Sequence, residues 1–108
     1  MMAQMDGANV EFISYVRQCL RIINTIFDDE ISDLILAAKA DLLLGGIIPD
    51  KVNNDNDPLI RRAVVCYVKA EFGLDNPDAE RYRDAYQSIR KHLMLSSEYL
   101  GDAEDVLE

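Results

Sequence analysis

Residues 57–73 read DPLIRRAVVCYVKAEFG, and this stretch predicts a helix with both ends marked. Asp57 is a good N-cap because its carboxylate can accept hydrogen bonds from free amides of the first turn, and Pro58 fits that turn. Gly73 is a typical C-terminal stop. Between them, apolar residues recur at helical spacing: Leu59, Ala63, Val64, Tyr67, Val68 and Phe72. We therefore predict a helix that starts at residue 58 and buries this face.

A second helix with a marked start follows directly. Asn76 and Pro77 repeat the cap and first-turn pattern at the beginning of NPDAERYRDAYQSIRKHLML, residues 76–95. Apolar and aromatic residues then recur at spacings of three and four, which is a heptad-like seam: Ala79, Tyr82, Tyr86, Ile89 and Leu93. Charged residues fill the outer faces. The pattern predicts a long amphipathic helix packed on the preceding one.

Upstream of residue 57, two more helices are predicted, at about residues 10–23 and 28–44. The first has an apolar stripe of Phe12, Ile13, Val16, Leu20 and Ile23, and the second begins with an acidic cluster that suits a helix N-terminus. Gly45 and Gly46 end the second helix. Residues 47–56 contain Pro49 and a polar run, which predicts a loop.

Length and composition agree with one helical domain. The chain has 108 residues, of which 49% are hydrophobic and 29% are charged, enough for one core and a well-solvated surface. We predict the all-α class: a small bundle of about four helices with a polar loop between helices two and three. Residues 1–9 are an N-terminal extension, residues 10–95 the helical domain, and residues 96–108 an acidic C-terminal tail.

Charge is distributed unevenly along the chain. The net charge is −9, which argues against a general nucleic-acid binder. Residues 24–46 hold five acids and one lysine, a net charge of −4, whereas residues 58–73 hold three cations and one acid, a net charge of +2. Residues 95–108 hold five acids and no cation. These patches suit head-to-tail packing of identical chains, and they equally suit ordinary solvated helix faces.

Residues with catalytic or metal-binding chemistry are few. Cys19 and Cys66 form no CxxC pair, and His92 is the single histidine, so neither a zinc site nor a catalytic centre is predicted. We expect no enzyme activity and no cofactor. The first nine residues lack a signal-peptide pattern, and no apolar run approaches the roughly 20 residues that span a bilayer, so no membrane partner is expected.

Several segments resemble a known family. They are ISDLI at residues 31–35, AAK at 37–39, PLI at 58–60, YVKAEFG at 67–73, DNPDAERY at 75–82 and LMLSSEY at 93–99. Over roughly residues 10–99 the chain resembles the head–tail connector (DNA-packaging adaptor) proteins of tailed bacteriophages and prophages. The resemblance implies a small helical bundle and a structural, non-enzymatic role. It also implies a ring beneath the portal protein that extends the DNA channel and docks the next head-completion or tail protein.

The resemblance and the charge pattern together predict an assembly interface. A ring requires a surface that is complementary to another surface of the same chain. We expect the basic start of the helix at residue 58 to meet the acidic start of the helix at residue 28 in the next subunit. Among the tyrosines, Tyr99 lies outside the helical pattern and is the better interface candidate. The candidate interface residues are Asp28, Asp29, Glu30, Asp33, Arg61, Arg62, Lys69 and Tyr99. DNA would pass the channel without sequence-specific binding, and the ring would lie at the virion head–tail junction after assembly in the bacterial cytoplasm.

One alternative function remains open. A charge of −9 also suits a small acidic regulatory adaptor that binds one protein partner as a monomer or dimer. Self-association into a ring is expected of a connector subunit and is not expected of a single-partner adaptor.

Overall fold

The computed structural model describes residues 7–101, which form six helices and no strand. In chain order they are α1 (Val10–Cys19), α2 (Asp28–Leu44), α3 (Pro49–Val52), α4 (Pro58–Glu71), α5 (Ala79–Met94) and α6 (Ser97–Leu100). The predicted all-α class is confirmed. In this described part of the chain, no helix has both the length and the apolar character that a membrane crossing requires.

The core lies where α2, α4 and α5 pack together. Ile35 and Leu42 of α2 and Ile60 and Val64 of α4 are fully buried, each at the helical spacing expected of a packed face. Phe27 meets Phe72 edge-to-face, with ring centroids 5.5 Å apart, so the start of α2 lies beside the end of α4. The two helices are therefore antiparallel.

The helix α5 returns along α4 and completes the bundle. Tyr86 of α5 lies edge-to-face against Tyr67 of α4, with centroids 5.2 Å apart, and both Tyr86 and Leu93 are buried. The hydroxyl group of Tyr86 donates a hydrogen bond to Asp41 of α2. The start at Pro58 is confirmed. Of the seam predicted for α5, Tyr86 and Leu93 are buried, and Ala79, Tyr82 and Ile89 are partly exposed.

Helix α1 is shorter than the sequence predicted. Asn9 caps it, since its side-chain oxygen accepts hydrogen bonds from the amides of Glu11 (2.8 Å) and Phe12 (3.1 Å). The helix ends at Cys19, and Arg21 follows with a φ of 63°. That left-handed conformation turns the chain before Ile23, which is 96% exposed and does not belong to the apolar stripe as predicted.

Two short helices lie in segments where no helix was predicted. The predicted loop at residues 47–56 contains α3, and Ile47 and Val52 on either side of its proline start are buried. The predicted tail contains α6, whose Tyr99 is only 7% exposed. The compact part of the chain therefore reaches Leu100, past the domain end predicted at residue 95. The remaining tail residues, 102–108, lie outside the described residues.

Candidate assembly interface

A groove runs between α1 and the α4–α5 pair. Its larger part encloses about 590 Å³, and an adjoining cavity of about 240 Å³ shares Cys19, Lys69 and Tyr82 with it. We call the two together the basic groove. Its charged lining residues are Arg21, Arg61, Arg62 and Lys69, and within residues 7–101 no aspartate or glutamate lines it. In a chain with a net charge of −9, this groove is a local concentration of positive charge.

Aromatic rings hold two of these cations in position. The Arg61 guanidinium carbon lies 4.2 Å from the centroid of the Tyr15 ring, and Arg61 Nε donates a hydrogen bond of 3.2 Å to the Asp55 carbonyl. Lys69 Nζ lies 5.1 Å from the centroid of the Tyr82 ring. Cation–π contacts of this kind orient the charge and leave its outer side free. Arg62 is exposed at the groove.

A second charged surface lies at the start of α2. We call Asp28, Asp29, Glu30 and Asp33 the acidic surface; three of the four line a cavity of about 490 Å³. Asp28 is bound within the chain, because its carboxylate accepts hydrogen bonds from Arg17 Nε (3.0 Å) and Nη2 (2.9 Å). This hydrogen-bonded pairing raises the pKa of Arg17. Asp29, Glu30 and Asp33 are exposed and available to a partner.

The basic groove and the acidic surface lie on opposite sides of α1. Ile13 lines the acidic cavity, and Arg17, four residues later on the same helical face, binds Asp28. Tyr15 and Cys19 line the basic groove. Two residues correspond to a rotation of about 200° around an α-helix, so Tyr15 points away from Ile13. Because α1 separates the two surfaces, they can meet only between different copies of the chain.

The structure brings together seven of the eight predicted interface residues in two groups. Arg61, Arg62 and Lys69 line the basic groove, and the four acids form the acidic surface. Tyr99 does not join either group. It is buried in its own chain, with its hydroxyl oxygen 3.0 Å and 3.1 Å from the two carboxylate oxygens of Asp57, so in this subunit Tyr99 contributes to the core and not to either charged surface.

Sequence reasoning did not identify the aromatic part of the groove. Tyr82 was assigned to the core seam, but it is half-buried beneath Lys69 and Arg81. Tyr15 was not singled out, although it lies outside the apolar stripe of α1 and precedes Cys19 by one helical turn. An aromatic residue away from the buried stripe is the signal that points to a second contact face.

Among the described residues, the groove lining holds two cysteines and no histidine, aspartate or glutamate. Cys19 and Cys66 both line it, and burial raises the pKa of the Cys66 thiol, which favours the neutral form. His92 is exposed on the last turn of α5. Within residues 7–101, no three histidine, cysteine, aspartate or glutamate side chains are grouped as metal ligands would be. The arrangement is suited to holding a negatively charged protein surface.

Fold and surfaces together define a small all-helical protein with two oppositely charged surfaces. The family model described as "Phage connector protein" matches residues 12–100, which include nearly all of the six helices. The chain belongs to the phage connector protein family. Neither the curated proteins nor the solved structures gave a significant match.

Proposed function

We propose that this protein is a structural subunit of a phage or prophage head–tail connector. Copies form a ring beneath the portal protein, the ring extends the DNA channel, and its far side docks the next head-completion or tail protein. The role is structural and non-enzymatic, at the virion head–tail junction, with assembly in the bacterial cytoplasm. Membership of the phage connector family supports this proposal.

The contact between subunits is the step that the geometry supports best. The single observation that carries it is the position of two oppositely charged surfaces on opposite sides of α1. A head-to-tail contact repeats around a ring, with the basic groove of one copy against the acidic surface of the next. A two-fold contact through either surface alone would place like charges together, which opposes association.

Individual residues differ in their expected contributions. Arg62 is exposed and, among the described residues, has no ion-pair partner, so its charge is available to another chain. Arg61 and Lys69 are positioned by Tyr15 and Tyr82. On the acidic surface, Asp29, Glu30 and Asp33 are exposed, whereas Asp28 is already bound to Arg17. We therefore expect Arg62 and Glu30 to be more sensitive to substitution than Asp28.

The test is solution mass, measured by light scattering coupled to size exclusion over a range of protein concentrations. Wild-type protein should form a discrete larger species that weakens as salt is added, because exposed ion pairs are screened. Arg62→Glu should weaken association, and so should Glu30→Lys. A mixture of the two variants should regain partial association, since each supplies the surface that the other lacks.

Arg83→Glu is the matched control. It makes the same change of charge on a surface residue of α5 outside the basic groove and the acidic surface, where only exposed ion pairs to Glu71 and Glu80 are lost, so it should leave association unchanged. Equal effects of Arg83→Glu and Arg62→Glu would indicate a response to net charge alone. A monomer at every concentration would count against contact between free copies and would favour the single-partner adaptor.

A ring built in this way also explains how DNA could pass freely. The groove cations would be covered by acids of the next copy, and the remaining charge of each subunit is strongly negative. A surface without free cations cannot release counterions from phosphate and so does not hold DNA. Duplex DNA should therefore not be retained by the assembled protein at about 0.15 M salt. A basic lumen in a ring structure would contradict this.

A further inference from the structure

An exposed isoleucine lies next to the acidic surface. Ile26 is 75% exposed and precedes the start of α2 by two residues. Its amide donates a hydrogen bond of 3.2 Å to Asn24 Oδ1, and the Asp28 amide donates one of 3.1 Å to the Thr25 carbonyl. Residues 24–28 therefore form a compact turn, which we call the Ile26 turn, with the isoleucine side chain on its surface.

Contacts of the two following residues hold the Ile26 turn in place. The ring of Phe27 lies against that of Phe72, with centroids 5.5 Å apart. The Asp28 carboxylate accepts two hydrogen bonds from Arg17 of α1. Both neighbours are thus fixed to the bundle, whereas Ile26 itself remains exposed. A side chain that is held in place before binding loses little entropy on binding, so this turn is suited to enter a pocket of another chain.

The basic groove has an apolar lining between its cations. Pro58, Val65 and Cys66 line its larger part. Arg62 lies four residues before Cys66 and Lys69 three residues after it, so these three residues share one face of α4. Acidic side chains alone would pair with the cations and leave the apolar lining in contact with water. The groove therefore fits a surface on which an apolar side chain lies beside an acid.

We propose that Ile26 of one copy inserts into the basic groove of the next copy. Glu30 follows Ile26 by four residues, about one helical turn, which matches the spacing between Cys66 and the cations on either side of it. With Ile26 placed at Cys66, Glu30 comes beside a cation whichever way the two helices cross. The proposal rests on the subunit contact proposed above and names the side chain that forms its apolar part.

The apolar contact explains how an interface rich in charges can be stable. Exposed ion pairs alone contribute little to association, because water and salt screen them. Insertion of Ile26 removes apolar surface of both chains from water and excludes water from the ion pairs beside it. The isoleucine is therefore the expected centre of the contact, while the charges determine which two surfaces meet.

The first experiment measures the protein concentration at half-association by light scattering. Ile26→Ser should raise this concentration roughly ten- to a hundredfold, the effect of losing one buried isoleucine side chain. Ile26→Leu should largely preserve association, since it keeps the apolar volume. Leu95→Ser is the matched control, because Leu95 is 79% exposed and lines neither charged surface. Equal effects of Ile26→Ser and Leu95→Ser, or no effect of Ile26→Ser, would overturn the insertion.

The second experiment uses Cys19 as a probe, because this residue lines both parts of the basic groove. One variant carries Ile26→Cys, Cys19→Ser and Cys66→Ala, and the other carries only Cys66→Ala. A mild oxidant should link the two variants through a disulfide when they are mixed, and should link neither variant to itself. Replacing Ile26→Cys by Leu95→Cys in the first variant should abolish the product.

The outcomes separate failure of the insertion from failure of the proposed subunit contact. Disulfide formation by the Ile26→Cys variant alone would show that two copies of the Ile26 turn meet each other, which would overturn insertion into the groove. If Arg62→Glu weakens association while Ile26→Ser does not, the charge contact stands and the insertion is overturned. If the wild type remains monomeric at every concentration and no mixed disulfide forms, both proposals fail.

Discussion

The Tyr99 hydroxyl group bonds to the carboxylate of Asp57, with its oxygen 3.0 Å and 3.1 Å from the two carboxylate oxygens. The same carboxylate caps α4, since it accepts hydrogen bonds from the amides of Leu59 (3.0 Å) and Ile60 (3.1 Å). Both side chains are buried. This hydrogen bond connects α6 to the first turn of α4. Helix α4 also contains Arg61 and Arg62, which line the basic groove.

The first prediction concerns the energy of this contact. Tyr99→Phe should reduce the free energy of unfolding by about 1.5–3 kcal/mol, the usual contribution of a hydrogen bond to a charged group. Asp57→Ala should cost about 2–4 kcal/mol, because it removes both the cap and the partner of Tyr99. In the double variant the losses should not add, and urea unfolding of all three variants gives the coupling energy.

The control for this double-mutant cycle of Tyr99 and Asp57 is Tyr15→Phe. Among the described residues the Tyr15 hydroxyl forms no hydrogen bond, while its ring contacts Phe12 and Arg61, which phenylalanine can also contact. This variant should therefore change stability little. Additive losses for Tyr99→Phe and Asp57→Ala would show that the two side chains do not stabilise each other.

The second prediction concerns stability at high pH. Burial, with the hydrogen bond to Asp57 and its negative charge, raises the pKa of Tyr99 to about 12 from an ordinary value of 10.0. Between these values the unfolded chain loses a proton that the folded chain retains, so stability falls as pH rises through this window. Each such proton contributes up to about 1.4 kcal/mol per pH unit.

Tyr99→Phe should make this fall shallower without abolishing it. Burial and the bond to Asp41 also raise the pKa of Tyr86, which therefore contributes in the same direction. The measurement is urea unfolding from pH 9 to pH 12 at constant ionic strength. Identical pH slopes for the wild type and Tyr99→Phe would mean that the Tyr99 proton is not retained on folding.

The long helices were predictable because their ends and faces are encoded locally. Asp57 and Pro58 mark the start of α4 by chemistry that acts within one turn, and the seam of α5 persists over 16 residues. The short helices α3 and α6 were not predictable in this way, since four residues make barely one turn and show no periodicity. The end of α1 at Cys19 depends on the positive φ of Arg21, which the residue type does not favour.

The charges of the basic groove and the acidic surface were predictable from sequence, but the geometry of these two surfaces was not. Sequence placed cations near residue 61 and acids near residue 28, because both clusters are local. The stacking of Arg61 on Tyr15 joins residues from α1 and α4 and therefore depends on how those helices pack. Tyr99 was predicted to be an interface candidate because no helical pattern included it. Its burial depends on Asp57, which is 42 residues away in sequence.

The third prediction tests the core of α2 with two adjacent leucines. Leu42 is fully buried, whereas Leu43 is substantially exposed. Leu42→Ala should cost about 2–5 kcal/mol through lost burial and the cavity left behind. Leu43→Ala removes the same atoms largely from solvent and should cost less than about 1 kcal/mol. Thermal or urea unfolding checks the difference, and similar losses for both would contradict the burial of α2 described above.

The last prediction separates the two glycines that follow α2. Gly46 has a φ of 101°, a conformation that side chains disfavour, so Gly46→Ala should cost about 1–2 kcal/mol. Gly45 has an ordinary φ of −77°, but an added β-carbon would lie 2.9 Å from Arg90 Nη2 and 3.2 Å from Met94 Sδ. Both are ends of flexible side chains that can move, and alanine also lowers the entropy of the unfolded chain. Gly45→Ala should therefore change stability by less than about 1 kcal/mol. If urea unfolding instead gave the larger loss for Gly45→Ala, the side chains of Arg90 and Met94 would be held rigidly against the end of α2.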